Sequence, residues 1–529
     1  MTSTSASPPW LLRWQGLLAA SGGPLAQRLE PISGLVICAL MAGLPLVTRA
    51  GLSLLIAAAG LLWLLWALRS PAGRIGPISG WLLVILGIML LASGTSPVPV
   101  AAAKGLAKLV SYLGVYALMR QLLAQSPAWW DRILAALLAG ELASSVIAIR
   151  QLYGDTSELA RWADPNSVAD GTIRVYGPLE NPNLLAGYLI PILPLAVVAL
   201  LRWSSWPQKL YAATALVLGS TALFLSYSRG GWLGMLAALA SIGLLLVLRQ
   251  TRGWPPLRRR LFPLLLAIFG VALLVVAITR VEPLRIRAMS LLAGRQDSSN
   301  NFRINVWMAA LQMVQDRPWL GIGPGNTAFN LIYPLYQQPK FNALSAYSVP
   351  LELLVEGGIP ALLAGLGLLQ AALRRGLGHL RGESSWALPA LAAIASIAGL
   401  CVQGATDTIF FRPEVQLIGW LCLATLAVSE PRSTSLQLAG AIGEQPTAHQ
   451  RPGAREPQFL APGPQPQPVA SGHQLIGAGQ PATAGPTAAS GPQPPGAGQP
   501  VATDPAAASG RQPPASGKKP PMDLPDPWA

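Results

Sequence analysis

Leu261 to Thr279 reads LFPLLLAIFGVALLVVAIT, a run without a single charge. As a helix it is roughly 28 Å long, close to the thickness of a bilayer's hydrocarbon core. Gly51 to Leu68, Trp81 to Ala92 and Leu388 to Val402 are likewise nearly free of charge. Over all 529 residues, 52% are hydrophobic and only 11% charged, against about 25% charged in soluble domains. Inside lipid a segment must satisfy its own backbone, which favours helices. The expected fold class is all-α, a polytopic membrane protein.

About twelve transmembrane helices are expected: Ile32 to Val47, Gly51 to Leu68, Ile75 to Ala92, Val100 to Met119, Ile133 to Tyr153, Pro182 to Leu201, Leu210 to Ser226, Gly230 to Leu248, Leu261 to Thr279, Tyr347 to Leu373, Trp386 to Ala405 and Val415 to Val428. With a cytoplasmic N-terminal segment 1–31, the connections on that side hold sixteen Lys and Arg against Glu30, Asp131 and Glu383. These account for +13 of the formal charge of +15. Such asymmetry is the positive-inside pattern, so both termini are expected in the cytoplasm of an inner membrane. The basic charge is therefore a topology signal and excludes nucleic acid as the partner. Residues 1–30 have no apolar core followed by a small-residue cleavage site, so the first span is expected to act as its own insertion signal.

Two connections on the outer, periplasmic side are long, 154–180 and 280–346, the latter between helices nine and ten. In the second, Ile304, Trp307, Met308, Leu311 and Val314 recur at helical spacing up to Arg317-Pro318. They predict an amphipathic helix on the outer face. The membrane domain 32–429 is followed by a Pro/Gly/Ala-rich tail, 430–529, with an imperfect repeat of Gly477 to Pro481 at Gly496 to Pro500. That composition cannot bury a core and is expected to be disordered in the cytoplasm, where polyproline segments can bind a partner.

Cys38, Cys401 and Cys422 all fall in apolar spans, and His379, His449 and His473 lie in a cytoplasmic loop or the tail. No metal site, cofactor motif or nucleotide loop is visible. Ionisable groups within spans are candidate sites, namely Lys104, Lys108, Glu141, Arg150, Glu352 and Glu356. Snorkelling competes as the explanation for Lys104 and Arg150. Ser226 to Gly231 puts Arg229 where two helices meet the outer interface, and Arg303 opens the amphipathic helix. Guanidinium clamps phosphate or carboxylate with paired hydrogen bonds. With the turn-like run Gly321 to Asn326, they suggest an anion site opening outward. With no histidine there, a base would be Glu352, Glu356 or Tyr347.

Tyr176 to Gly187, Ser228 to Gly234, Arg303 to Trp307 and Asp316 to Gly325 together resemble the O-antigen ligase and polymerase superfamily. Asn301 to Trp307, Ile332 to Pro339 and Leu344 to Ser348 look like its IctB branch, whose members are labelled bicarbonate transporters. The resemblance implies two outward-facing arginines, here Arg229 and Arg303, that bind the diphosphate of a polyprenyl-linked glycan. A histidine that assists transfer in the ligases falls on Tyr347, an ordinarily weak base. Asn181, Asn183 and Glu356 join the arginines as expected substrate-binding residues; Tyr347 and Glu352 join them as catalytic ones. Two functions stay open: a metal-independent glycosyltransferase acting on a polyprenyl-diphosphate-linked glycan beside membrane lipid, and a transporter of bicarbonate.

Overall fold

The computed structural model describes residues 24–69, 75–154, 174–282, 285–286, 288–289, 293–381 and 384–428. The tail and residues 155–173 of the first long connection lie outside them, as do the expectations made for them. Every expected span falls on a helix. In chain order these are α1 Pro24–Gly43, α2 Arg49–Arg69, α3 Pro77–Gly94, α4 Pro99–Gln125 and α5 Ala128–Arg150. Then come α6 Pro182–Arg202, α7 Trp206–Leu225, α8 Arg229–Gln250 and α9 Pro256–Arg280. The series closes with α10 Ser298–Asp316, α11 Asn326–Ile332, α12 Val349–Arg381, α13 Ala387–Gly404 and α14 Pro413–Ala427. Proline at the first or second position opens α3, α4, α6, α7, α9 and α14, where its missing N–H would have had no partner in the helix.

Among the described residues nine helices are long and apolar enough to cross a membrane: α2, α3, α5 to α9, α12 and α13. Of the twelve expected crossings, α1, α4 and α14 fall outside that set. All three nevertheless pack among the others, α1 on α5, α4 on α2 and α14, and α14 on α13. Helix α6 is the hub, touching α5, α7, α8, α13 and α14. Helix α9, which holds the uncharged run Leu261 to Thr279, buries no residue.

Two departures from the sequence reading shape one end of the bundle. First, α10 begins at Ser298, capped by Asp297, whose side chain accepts the Asn300 N–H. Its buried face is Val306, Ala309, Ala310 and Met313, whereas Met308 and Leu311 of the expected apolar stripe are exposed. The small alanines permit close packing. This face joins Ile322, Phe329, Tyr333, Ala346 and Val355 in a separate core, so the long connection has an interior of its own.

Second, α12 is broken at Gly358 (φ 70°, ψ −168°). Pro360 has no N–H to offer Glu356, and the Ile359 N–H turns to the Pro318 carbonyl at 2.8 Å. The carbonyls thereby released accept from the loop, Val355 from the Ile322 N–H and Glu356 from the Gly323 N–H, both at 2.9 Å. A Cβ at Gly358 would stand 2.4 Å from the Trp319 carbonyl carbon, so glycine is needed for space as well as for φ.

Candidate functional site

Arg229 is the first residue of α8. The tight passage from α7 is made by Ser226, whose hydroxyl donates to the Leu223 carbonyl at 2.7 Å, by Tyr227 at φ 47°, and by Ser228, which caps the Gly231 N–H at 3.2 Å. Arg229 Nη2 lies 2.9 Å from Oδ1 of Asp297, a carboxylate with no exposed surface. The same oxygen accepts the Asn300 N–H at 3.0 Å, while Oδ2 is buried without a hydrogen-bond partner. Arg229 thus holds the cap of the helix that carries Arg303.

On the second turn of α10, Arg303 donates through Nη1 to Ser299 Oγ at 3.0 Å, and its Nη2 stands 3.7 Å from Asp407 Oδ2. Its Nε is buried with no hydrogen-bond partner. Asp407 lies in the connection between α13 and α14, where its Oδ1 accepts the Thr408 N–H at 2.8 Å. Burial pushes its carboxyl above the ordinary range, against the pull of Arg303 and Arg174 and of the Thr408 and Ile409 amides.

Arg174 completes the group. Its Nε donates to the Ser226 carbonyl at 3.0 Å and its Nη2 to Asn183 Oδ1 at 2.8 Å. One guanidinium therefore joins the turn before Arg229 to the start of α6 and reaches Asp407 electrostatically. Three guanidiniums and two buried carboxylates, Asp297 and Asp407, gather at this end of the bundle. None of the three arginines is a bare cation.

The other expected residues divide. Tyr347 sits beside Arg303 and Asp407 in a left-handed conformation (φ 49°), its carbonyl accepting from Trp307 Nε1 at 3.3 Å. Burial, and next the charge of Asp407, push its phenol up to about 12. Asn183 holds Arg174, and its own carbonyl accepts from Gln403 Nε2 at 3.3 Å. Asn181 is the cap of α6, accepting the Asn183 and Leu184 N–H groups at 2.9 and 3.3 Å. Glu352 accepts the Ala346 N–H and Glu356 the Gly325 N–H, each at 2.6 Å. Those two carboxylates, one turn apart on α12, fasten the loop from inside.

The glycine run is taken up in the same fastening. Gly321, Gly323 and Gly325 all have positive φ, and the amides of Ile322, Gly323 and Gly325 donate to α12. The run is a turn braced on a broken helix, so the expectation that it contributes to an anion site is corrected.

Sequence reasoning missed Arg174, Asp297 and Asp407. Asp407 is the single charged residue between Leu388 and Phe411, the signal already applied to Glu352. Asp297 is legible as a helix cap but not as an ion-pair partner. Arg174 stands two residues before Tyr176 and carries no local signal. Among the described residues no three His, Cys, Asp or Glu side chains group as metal ligands. The donors at hand suit an oxyanion.

Residues 214–366 match a family model described as O-antigen ligase. The match takes in Arg229, Arg303, Tyr347, Glu352 and Glu356, and leaves Arg174 and Asp407 outside. Among curated proteins none matches the chain. Over the matched segment the chain is similar to O-antigen ligases, in keeping with an O-antigen-ligase-like membrane protein.

Proposed function

We propose that the protein is a glycosyltransferase of the O-antigen ligase or polymerase kind, which holds the diphosphate of a polyprenyl-linked glycan among Arg174, Arg229 and Arg303. The observation that carries this reading is the gathering of three guanidiniums against two carboxylates, with the Arg303 Nε buried and unpartnered. A diphosphate carries enough charge to draw guanidiniums from their internal partners, which a small hydrated anion does less well. The connections at the opposite end carry the excess of basic residues, so this end faces away from the cytoplasm, into the periplasm if the membrane is an inner one.

In the transfer step an acceptor hydroxyl attacks the anomeric carbon while the bond from that carbon to the diphosphate oxygen breaks. The electron pair leaves with the diphosphate, and its growing charge is met by guanidinium donors. The acceptor proton passes to the carboxylate of Asp407. At 3.7 Å the Arg303–Asp407 contact is the looser of the two ion pairs, and the one that yields when phosphate arrives. Losing its counter-charge raises the proton affinity of Asp407 when a base is needed. Tyr347 stays protonated at neutral pH, and Glu352 and Glu356 keep the loop in place.

Passage of bicarbonate would use the same arginines. It is disfavoured because the carbonyls released at the break in α12, the kind of group that binds coupling ions in transporters, accept from Ile322 and Gly323. The test is release of polyprenyl diphosphate from a lipid-linked oligosaccharide by the purified chain in liposomes, beside uptake of labelled bicarbonate. Arginine-dependent release with no uptake is expected. Uptake that depends on Arg229 and Arg303, without release, would replace this reading with the transporter.

A further inference from the structure

The candidate lysines of α4 belong to a different place. Ala103, Lys104, Ala107, Lys108 and Ser111 are all exposed and share one face of the helix, while Tyr112, Val115 and Tyr116 are buried. Lys108 is the tenth residue of α4, roughly 14 Å along it. Its Nζ donates to the Phe411 carbonyl at 3.2 Å and lies 5.6 Å above the Tyr112 ring. Arg49 at the start of α2 and Arg412 before α14 both face it electrostatically. Glu414 stands 3.8 Å from Arg412 Nε, and Glu356, also within reach, is occupied with Gly325.

A face of small residues bearing two ammonium groups at this depth is a poor partner for acyl chains. It instead suits a polar surface: Arg49 and Arg412 lie near Lys108, and Glu414 stands beside Arg412. Exposed Val100 and Val110 adjoin the face, as an attached chain would need. This face is distinct from the arginine cluster, and the connection before α14 lies next to both, Asp407 meeting Arg303 and Phe411 meeting Lys108.

We infer that this face of α4 binds the phosphate headgroup of a membrane lipid, a second anionic site independent of the one that holds the diphosphate. Lysines here act as point charges on phosphate, as in basic pockets between membrane helices. The source is lipid rather than free phosphate because the cations lie along a helix packed among the membrane spans, with apolar surface beside them.

The test is native mass spectrometry of the full chain released from phosphatidylcholine nanodiscs doped with phosphatidylglycerol. Selective retention of the anionic phosphatidylglycerol over phosphatidylcholine is expected, reduced about tenfold, the size of a charge-assisted contact, in Lys104→Gln/Lys108→Gln. It should persist in Lys104→Arg/Lys108→Arg and in Arg229→Ala. Retention unchanged in the glutamine pair overturns the inference. So does an equal loss in the arginine pair, which would mark a packing role, or full displacement of the lipid by inorganic phosphate.

Discussion

Arg303 and Asp407 lie more than a hundred positions apart in the chain, yet Nη2 of one stands 3.7 Å from Oδ2 of the other. The contact joins a helix of the long connection between α9 and α12 to the short link between α13 and α14, with the phenol of Tyr347 beside both. A guanidinium with a buried, unpartnered Nε and a loosely held carboxylate is suited to exchange that carboxylate for phosphate.

Arg303→Ala should lower transfer about 100- to 1,000-fold, the range for removing one donor to a developing oxyanion. Arg303→Lys should recover little, because lysine keeps the charge but not the fork that reaches Ser299 and Asp407 together. Single-turnover release of polyprenyl diphosphate measures both. Equal rates in the lysine variant and the parent would mean that charge alone suffices.

Asp407→Asn tests the proton acceptor. Burial holds this carboxyl above its usual range, so its base form is lost sooner on acidification than that of an exposed aspartate. The rate of the parent should therefore rise with pH through an ionisation above the usual aspartate range. Tyr347, at about 12, adds no limb near neutrality. The asparagine variant should be about 100- to 10,000-fold slower and show no acid limb. An acid limb that survives the substitution assigns the base elsewhere.

Glu356→Ala should destabilise without entering the chemistry. Its Oε1 accepts the Gly325 N–H at 2.6 Å in the interior, and leaving that amide without a partner costs about 1–3 kcal/mol. Glu356→Gln retains an acceptor oxygen and should recover most of the loss. Thermal unfolding in detergent reads the difference. Activity should follow the folded fraction in both variants, and a well-folded but inactive glutamine variant would return Glu356 to the site.

Gly358→Ala should be the most damaging single methyl. It meets a φ of 70° and a carbonyl carbon 2.4 Å away, so α12 and the loop at Pro318–Trp319 must separate. Backbone strain alone amounts to about 1–3 kcal/mol. Gly378→Ala is the control, since a Cβ there meets nothing within 4 Å. Unfolding midpoints of the two variants should differ by several degrees, and equal midpoints would mean that the break in α12 is pliable.

By itself the sequence determined the membrane class and the position of each long apolar helix, because length and absence of charge are properties of a contiguous segment. It also placed Arg229 and Arg303 at the same end of the bundle, since each stands at the edge of a legible helix. Tertiary structure alone decided what those arginines touch. Asp297 and Asp407 are brought to them by other elements, and Arg174 reaches the group through a hydrogen bond to Asn183. It also turned Ala309 and Ala310 of α10 inward, leaving Met308 and Leu311 outside, and gave Glu352 and Glu356 to loop amides. Helical periodicity marks where apolar side chains recur, but which face is covered depends on the neighbour. A buried carboxylate likewise declares that it needs a donor, and only the packed chain says which one.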